Sequence, residues 1–139
     1  VPFADFPGAQ ERLTAACHDR AAFEVELAEF RTFPHRRGKH TIWLVAEPES
    51  DLIALQAVVQ RTAVGEHVTG SRPARFQPHL SIGQVSGNAE MHRLVAELQA
   101  AWRPVRFVVS GVSLIWRGEP PDDMFQVAAT APMYNAGPR

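Results

Sequence analysis

The sequence predicts an α+β fold of mostly antiparallel sheets flanked by helices, and three observations predict it. Helical and alternating hydrophobic periodicities take turns along the chain, with no sustained β-α-β run. Two pairs of strand-like segments are joined by short polar turns, as in hairpins. The element order also has a repeated rhythm: helix, hairpin, helix, then strand, helix, hairpin. With one strand placed before Val1, both halves read strand, helix, strand, strand. That is the outline of a duplicated domain whose first strand is missing. We expect one such domain over residues 1–133, N-terminally incomplete, with a disordered tail over 134–139.

Each element has a local reason. Residues 8–19 place Ala9, Leu13, Ala16 and Cys17 on one helical side. Phe23, Val25 and Leu27 alternate with Glu24, Glu26 and Ala28, a half-buried strand. Pro34 to Gly38 is a basic turn, and Thr41 to Val45 is the returning strand. Ser50 is a candidate N-cap for a helix carrying Leu52, Leu55, Val58 and Val59. Gly65, Gly70 and Pro73 mark a loop over 63–75. A strand follows from about Phe76 to Val85. A helix opens at Gly87-Asn88, with the stripe Met91, Leu94, Val95, Leu98 and Trp102, and Pro104 stops it. Val105 to Trp116 reads as one long strand, pairing with Phe125 to Ala129 across a Pro- and Asp-rich turn.

Composition narrows the function. The 139 residues suit one domain, and 45% apolar residues suffice for a core. A net charge of −1 gives no global field to draw in nucleic acid or a membrane, so an RNA substrate would have to be gripped locally. The single cysteine, Cys17, permits no internal disulfide and fits a reducing compartment. No apolar run approaches the roughly 20 residues of a membrane span. No signal peptide is visible. A cytoplasmic protein, and a monomer, is expected.

The chemistry-bearing motif is Phe76-Gln-Pro-His79-Leu-Ser81-Ile-Gly83. Pro78 holds the preceding residue extended. On a strand His79 and Ser81 share one face, and Leu80 and Ile82 are expected to bury the other. An imidazole titrates near neutrality and can give or take a proton. The adjacent hydroxyl can hydrogen-bond an anionic oxygen. That pairing suits phosphoester chemistry without a metal, although most such triplets are only polar strand residues.

Pro78-His79-Leu-Ser81-Ile resembles the second signature of the two-histidine phosphoesterases, the relatives of 2′-5′ RNA ligase and cyclic nucleotide phosphodiesterase. That signature is His-x-Thr/Ser followed by an apolar residue. Thr41-Ile-Trp-Leu and its acidic, Pro-containing turn are similar to the family's central hairpin. Ser113-Leu-Ile-Trp-Arg-Gly, Asp122-Asp and Phe125-Gln-Val resemble its closing hairpin. The resemblance implies a bilobal fold with an active cleft between two pseudo-symmetric lobes. Each lobe would supply one His-x-Thr/Ser. One histidine would be the general base and the other the general acid, and the two hydroxyls would hold phosphate oxygens. No cofactor or metal is implied. Family members open cyclic phosphates to 2′-phosphomonoesters, trim RNA 3′ ends or join RNA by a 2′-5′ bond. For this chain the resemblance implies hydrolysis or ligation of 2′,3′-cyclic phosphate or 2′-5′ ends, with an RNA end or cyclic nucleotide as the partner. His79 and Ser81 are the carried-over catalytic residues. The alternative is a non-catalytic nucleotide- or RNA-binding module on the same fold.

The chain departs from the pattern at the first signature. In His40-Thr41-Ile42 the hydroxyl is one residue from the histidine, so on a strand the two face apart. We therefore expect His40 at the rim, as a substrate-binding residue at most. Because the family's first motif typically precedes a Pro-Phe, the opening Val1-Pro2-Phe3 predicts that this motif lies just upstream of Val1. Arg75 and Arg117 are further substrate-binding candidates, since the guanidinium fork matches phosphate. His35, Arg36, Arg37, Lys39 and His40 form a basic cluster, either a solvated turn or a contact to an RNA backbone. Trp43, Trp116 and Phe76 could stack a base, though core packing suits each. The six histidines show no metal-ligand spacing. His92 is expected at the surface.

Overall fold

A computed structural model describes residues 5–64, 76–119, 121 and 123–134. The elements run α1 (Phe6–His18), β1 (Phe23–Pro34), β2 (Lys39–Glu47), α2 (Glu49–Val64), β3 (His79–Ser86), α3 (Asn88–Ala101), β4 (Val105–Val109), β5 (Gly111–Trp116) and β6 (Gln126–Pro132). The class is α+β, and the pairings β1–β2, β2–β3 and β5–β6 are all antiparallel. The described residues fall into two compact units. One draws on the described residues within 5–23, 54–64 and 108–134, the other on 24–53 and 76–107.

The first unit packs α1 and the C-terminal half of α2 with the β5–β6 hairpin. Pro7 sits in the first turn of α1, where a missing N–H costs nothing. Ala9, Leu13 and Cys17 recur every fourth residue and are buried. Leu13 and Cys17 join Leu55, Ala131 and Met133 in one core, with Phe23, Val59, Val112 and Leu114 packed against it. Burial pushes the Cys17 thiol above its usual range, against the pull of Arg20. Tyr134, placed by the sequence in a disordered tail, is tied down instead. Its N–H donates to Arg20 O at 2.8 Å, and its carbonyl accepts from Ala22 N at 2.7 Å.

The second unit is a four-stranded sheet in the order β3-β2-β1-β4, with α3 packed on it. Strand β2 lies inside the sheet, and Ile42 to Ala46 are all buried, as both faces of an inner strand should be. Trp102 and Gln99, at the end of α3, fix the helix to β1. The indole N–H donates to Leu27 O at 2.8 Å, and the amide bridges Phe30 N and Ala28 O. Trp102 also meets the Phe30 ring edge-on at 5.4 Å. Met91 is buried, whereas His92 is exposed.

Three further features differ from the sequence-based expectation. Ser50 lies inside α2, which starts at Glu49, and Glu47 supplies the capping carboxylate to Glu49 N at 3.1 Å. The stretch Val105–Trp116 is two strands in different sheets, broken at Ser110. At Gly111 a Cβ would lie 2.9 Å from Ala131 O, so only glycine lets β5 approach β6 this closely. Leu80 and Ile82, expected to be buried, are 49% and 47% exposed. Among the described residues strand β3 is a sheet edge with a neighbour on one side, and its apolar side chains are correspondingly half open.

Candidate active site

The candidate site grows from the junction between residues 76–78 and β3. Pro78 is buried at this junction. Strand β3 then pairs with β2 in the register Val45↔His79, Leu44↔Leu80 and Trp43↔Ser81. Paired residues share a face, so His79, Ser81, Val45 and Trp43 lie on one side of the sheet. The i, i+2 spacing thus brings the imidazole and the hydroxyl together. A register shift follows between the Trp43 and Ile42 pairings, giving Gly83↔Ile42 and Gln84↔Thr41. This bulge changes the phase of the strand and puts Gln84 on the His79 side, where strict alternation would turn it away.

His79 is exposed, and its two ring nitrogens have different fates. Nδ1 lies 2.7 Å from the carbonyl oxygen of Gln77. A carbonyl only accepts, so Nδ1 carries the proton in this bond. Nε2 has no hydrogen-bond partner among the described residues, and in the neutral ring it carries the lone pair. Aromatic rings wall the imidazole. Trp43 meets it edge-on at 5.7 Å and 74°, and Phe33 at 5.2 Å and 86°. Phe33 and Trp43 stack on each other at 4.5 Å. Trp43 is only 3% exposed, so it serves as the floor under His79 and not as a platform for a base. The Ser81 hydroxyl is exposed and unengaged among the described residues. Such a face can move a proton at Nε2 and offer a hydroxyl to an oxyanion one side chain away.

His40 is not brought to this face. His40 pairs with Val85 and Pro34, which puts it on the opposite face of the sheet. There it is 8% exposed, and its Nε2 donates to Asn88 Oδ1 at 2.9 Å. A buried, bonded histidine does not bind substrate at a rim. The β2 pairing that buries Ile42 and Leu44 buries His40 with them. Thr41 does face the His79 side, hydrogen-bonded to His35 Nε2 at 2.7 Å and accepting from Gln84 Nε2 at 3.4 Å. Arg117 belongs to the first unit and lies over the Phe125 ring at 5.2 Å. Arg75, His67 and the Val1-Pro2-Phe3 opening lie outside the described residues. Within the basic turn Arg37 has φ 60° and Gly38 φ 65°, the left-handed pair of a tight hairpin.

Sequence reasoning missed the Gln77 carbonyl, because a main-chain acceptor leaves no residue-type signal. It missed Gln84 because a bulge cannot be read from alternation. No group of three or more metal-ligating side chains occurs among the described residues. No described helix is long and apolar enough to cross a membrane.

Comparison with known proteins bears on the family and the fold. The family model of the 2′-5′ RNA ligase superfamily matches residues 1–121. No curated protein sequence matches. Among solved structures, TT0787 of Thermus thermophilus superposes with a TM-score of 0.60 at 18% identity, over 99% of this chain and 74% of that one. At that identity the likeness establishes the fold.

Proposed function

The chain belongs to the 2′-5′ RNA ligase superfamily, and we propose that it is a metal-independent phosphoesterase acting on 2′,3′-cyclic phosphate ends of RNA or nucleotides. The observation that carries this reading is the His79 ring, held through Nδ1 with Nε2 free beside the Ser81 hydroxyl. Opening a cyclic phosphate to a 2′-phosphomonoester forms a bond from water oxygen to phosphorus and breaks the bond from phosphorus to O3′. One group takes the water proton and another gives a proton to O3′. His79 fills one of these roles, and the resemblance assigns the other to a second family histidine. Ser81 donates to a non-bridging oxygen as charge builds there. With a 5′-hydroxyl in place of water, the same groups would form a 2′-5′ bond: the 5′ oxygen bonds to phosphorus as the bond from phosphorus to O3′ breaks, one group takes the 5′-hydroxyl proton and another gives a proton to O3′. The cytoplasm, where RNA ends are produced, is the proposed compartment.

Incubating the full-length protein with 2′,3′-cyclic nucleotides in EDTA, and separating the products, tests the reading. A 2′-phosphomonoester product is expected. Binding without turnover would instead establish a nucleotide-binding module, and neither binding nor turnover would discard both readings.

A further inference from the structure

We propose that Glu49 and Gln77 are positioning residues for His79, holding its imidazole in the tautomer that leaves Nε2 free. The proposal rests on the reading of His79 as the proton-transfer group. Residues 76–78 lie in no helix or strand, and Pro78 has no N–H with which to join a ladder. Nothing in regular secondary structure therefore fixes the direction of the Gln77 carbonyl. A side-chain tie does so instead. Gln77 Nε2 donates to Glu49 Oε1 at 2.6 Å. Glu49 is the first residue of α2, and its own N–H is held by Glu47 Oε2. Arg31, on β1, is ion-paired with Glu29 at 2.8 Å and lies more weakly in the field of Glu49 and Glu47.

The linkage thus runs from the start of α2, through the Gln77 side chain, to the Gln77 carbonyl and on to Nδ1. Pro78 follows with a fixed φ, so rotation about the Gln77 backbone is the remaining freedom, and the amide tie removes it. Without the tie the carbonyl is free to turn from the ring. A neutral imidazole that loses its acceptor can place its proton on either nitrogen. Protonation at Nε2 removes the base, and a shifted ring misplaces the acid. The aromatic walls from Trp43 and Phe33 set the plane of the ring but do not choose its tautomer.

The test is nitrogen NMR of the His79 ring in the full-length protein, with steady-state kinetics on a 2′,3′-cyclic nucleotide. Glu49→Ala and Gln77→Ala are compared with Glu49→Gln, which keeps an oxygen acceptor. Wild type is expected to show protonated Nδ1. Both alanine variants should show a mixed tautomer and a kcat lower by about tenfold to a hundredfold, with KM changed far less. Glu49→Gln should restore the wild-type tautomer and most of kcat. An unchanged tautomer in the folded alanine variants would overturn the proposal, even if thermal stability fell. If wild type turns over no cyclic phosphate while the tautomer shifts as expected, the assigned reaction is wrong and the positioning linkage stands.

Discussion

Two histidines, His40 on β2 and His79 on β3, sit in the same sheet and differ in almost every property that matters for chemistry. His79 is exposed and bonded through Nδ1 to a main-chain carbonyl, with Nε2 unpartnered among the described residues and the Ser81 hydroxyl on the same face. His40 is buried on the opposite face, and its Nε2 is already spent on Asn88. Each has a hydroxyl residue close by in sequence, Thr41 one residue on from His40 and Ser81 two residues on from His79. The hydroxyl two residues on, and not one, is what a strand delivers to the same face. Chemical potential in a sheet is therefore decided by phase as much as by residue type.

This contrast can be broken or sharpened by substitution. The largest effect considered is on the His79 face. Ser81→Ala should lower kcat/KM for a cyclic phosphate by about a hundredfold, as for removal of one oxyanion donor, with no change in melting temperature. A loss of stability in place of activity would move Ser81 into the structural class of His40. On the other face the effect should be thermodynamic. His40→Ala leaves Asn88 without its donor and opens a buried space, costing about 1–3 kcal/mol in denaturant unfolding. An unchanged unfolding midpoint would show that the buried bond contributes nothing. Smaller still is the hairpin that joins β1 to β2. Arg37→Gly relieves a left-handed conformation that costs a non-glycine residue roughly 1 kcal/mol, so the midpoint should rise slightly; a fall would mean that Arg37 makes a compensating contact. Least of all should be the reactivity of Cys17. Its thiol is fully buried and its pKa is raised, so a thiol alkylating agent should leave the native protein unmodified over hours. Rapid labelling would mean that the α1 core opens readily.

Much of this arrangement was legible in the sequence, for reasons that differ by element. The every-fourth-residue repeat Ala9, Leu13, Cys17 writes its burial directly into residue spacing, and the apolar stripe of α3 marks the side that is buried at Met91 and half-buried at Leu94, Val95 and Leu98. His79 and Ser81 fall on one face because the strand period is two. The bulge was not legible, since an extra residue in a ladder leaves the composition unchanged while it re-aims Gln84. The break at Ser110 was hidden for a related reason: Val105 to Trp116 is apolar enough throughout to pass for one strand. Gly111 was the single signal, and its meaning depends on the Ala131 carbonyl that lies against it. The hydrogen bond to the Gln77 carbonyl is main-chain chemistry, which no side-chain pattern encodes.

The central claim is that His79, and not His40, moves the proton. The measurement that tests it most directly is kcat for cyclic phosphate opening by full-length His79→Ala and His40→Ala, side by side in EDTA, below the melting temperature of both. His79→Ala should lose about 10²–10⁴-fold, and His40→Ala should retain wild-type kcat within about twofold, since it touches no reacting atom. Full activity in His79→Ala, or an equal loss in both variants, would contradict the account.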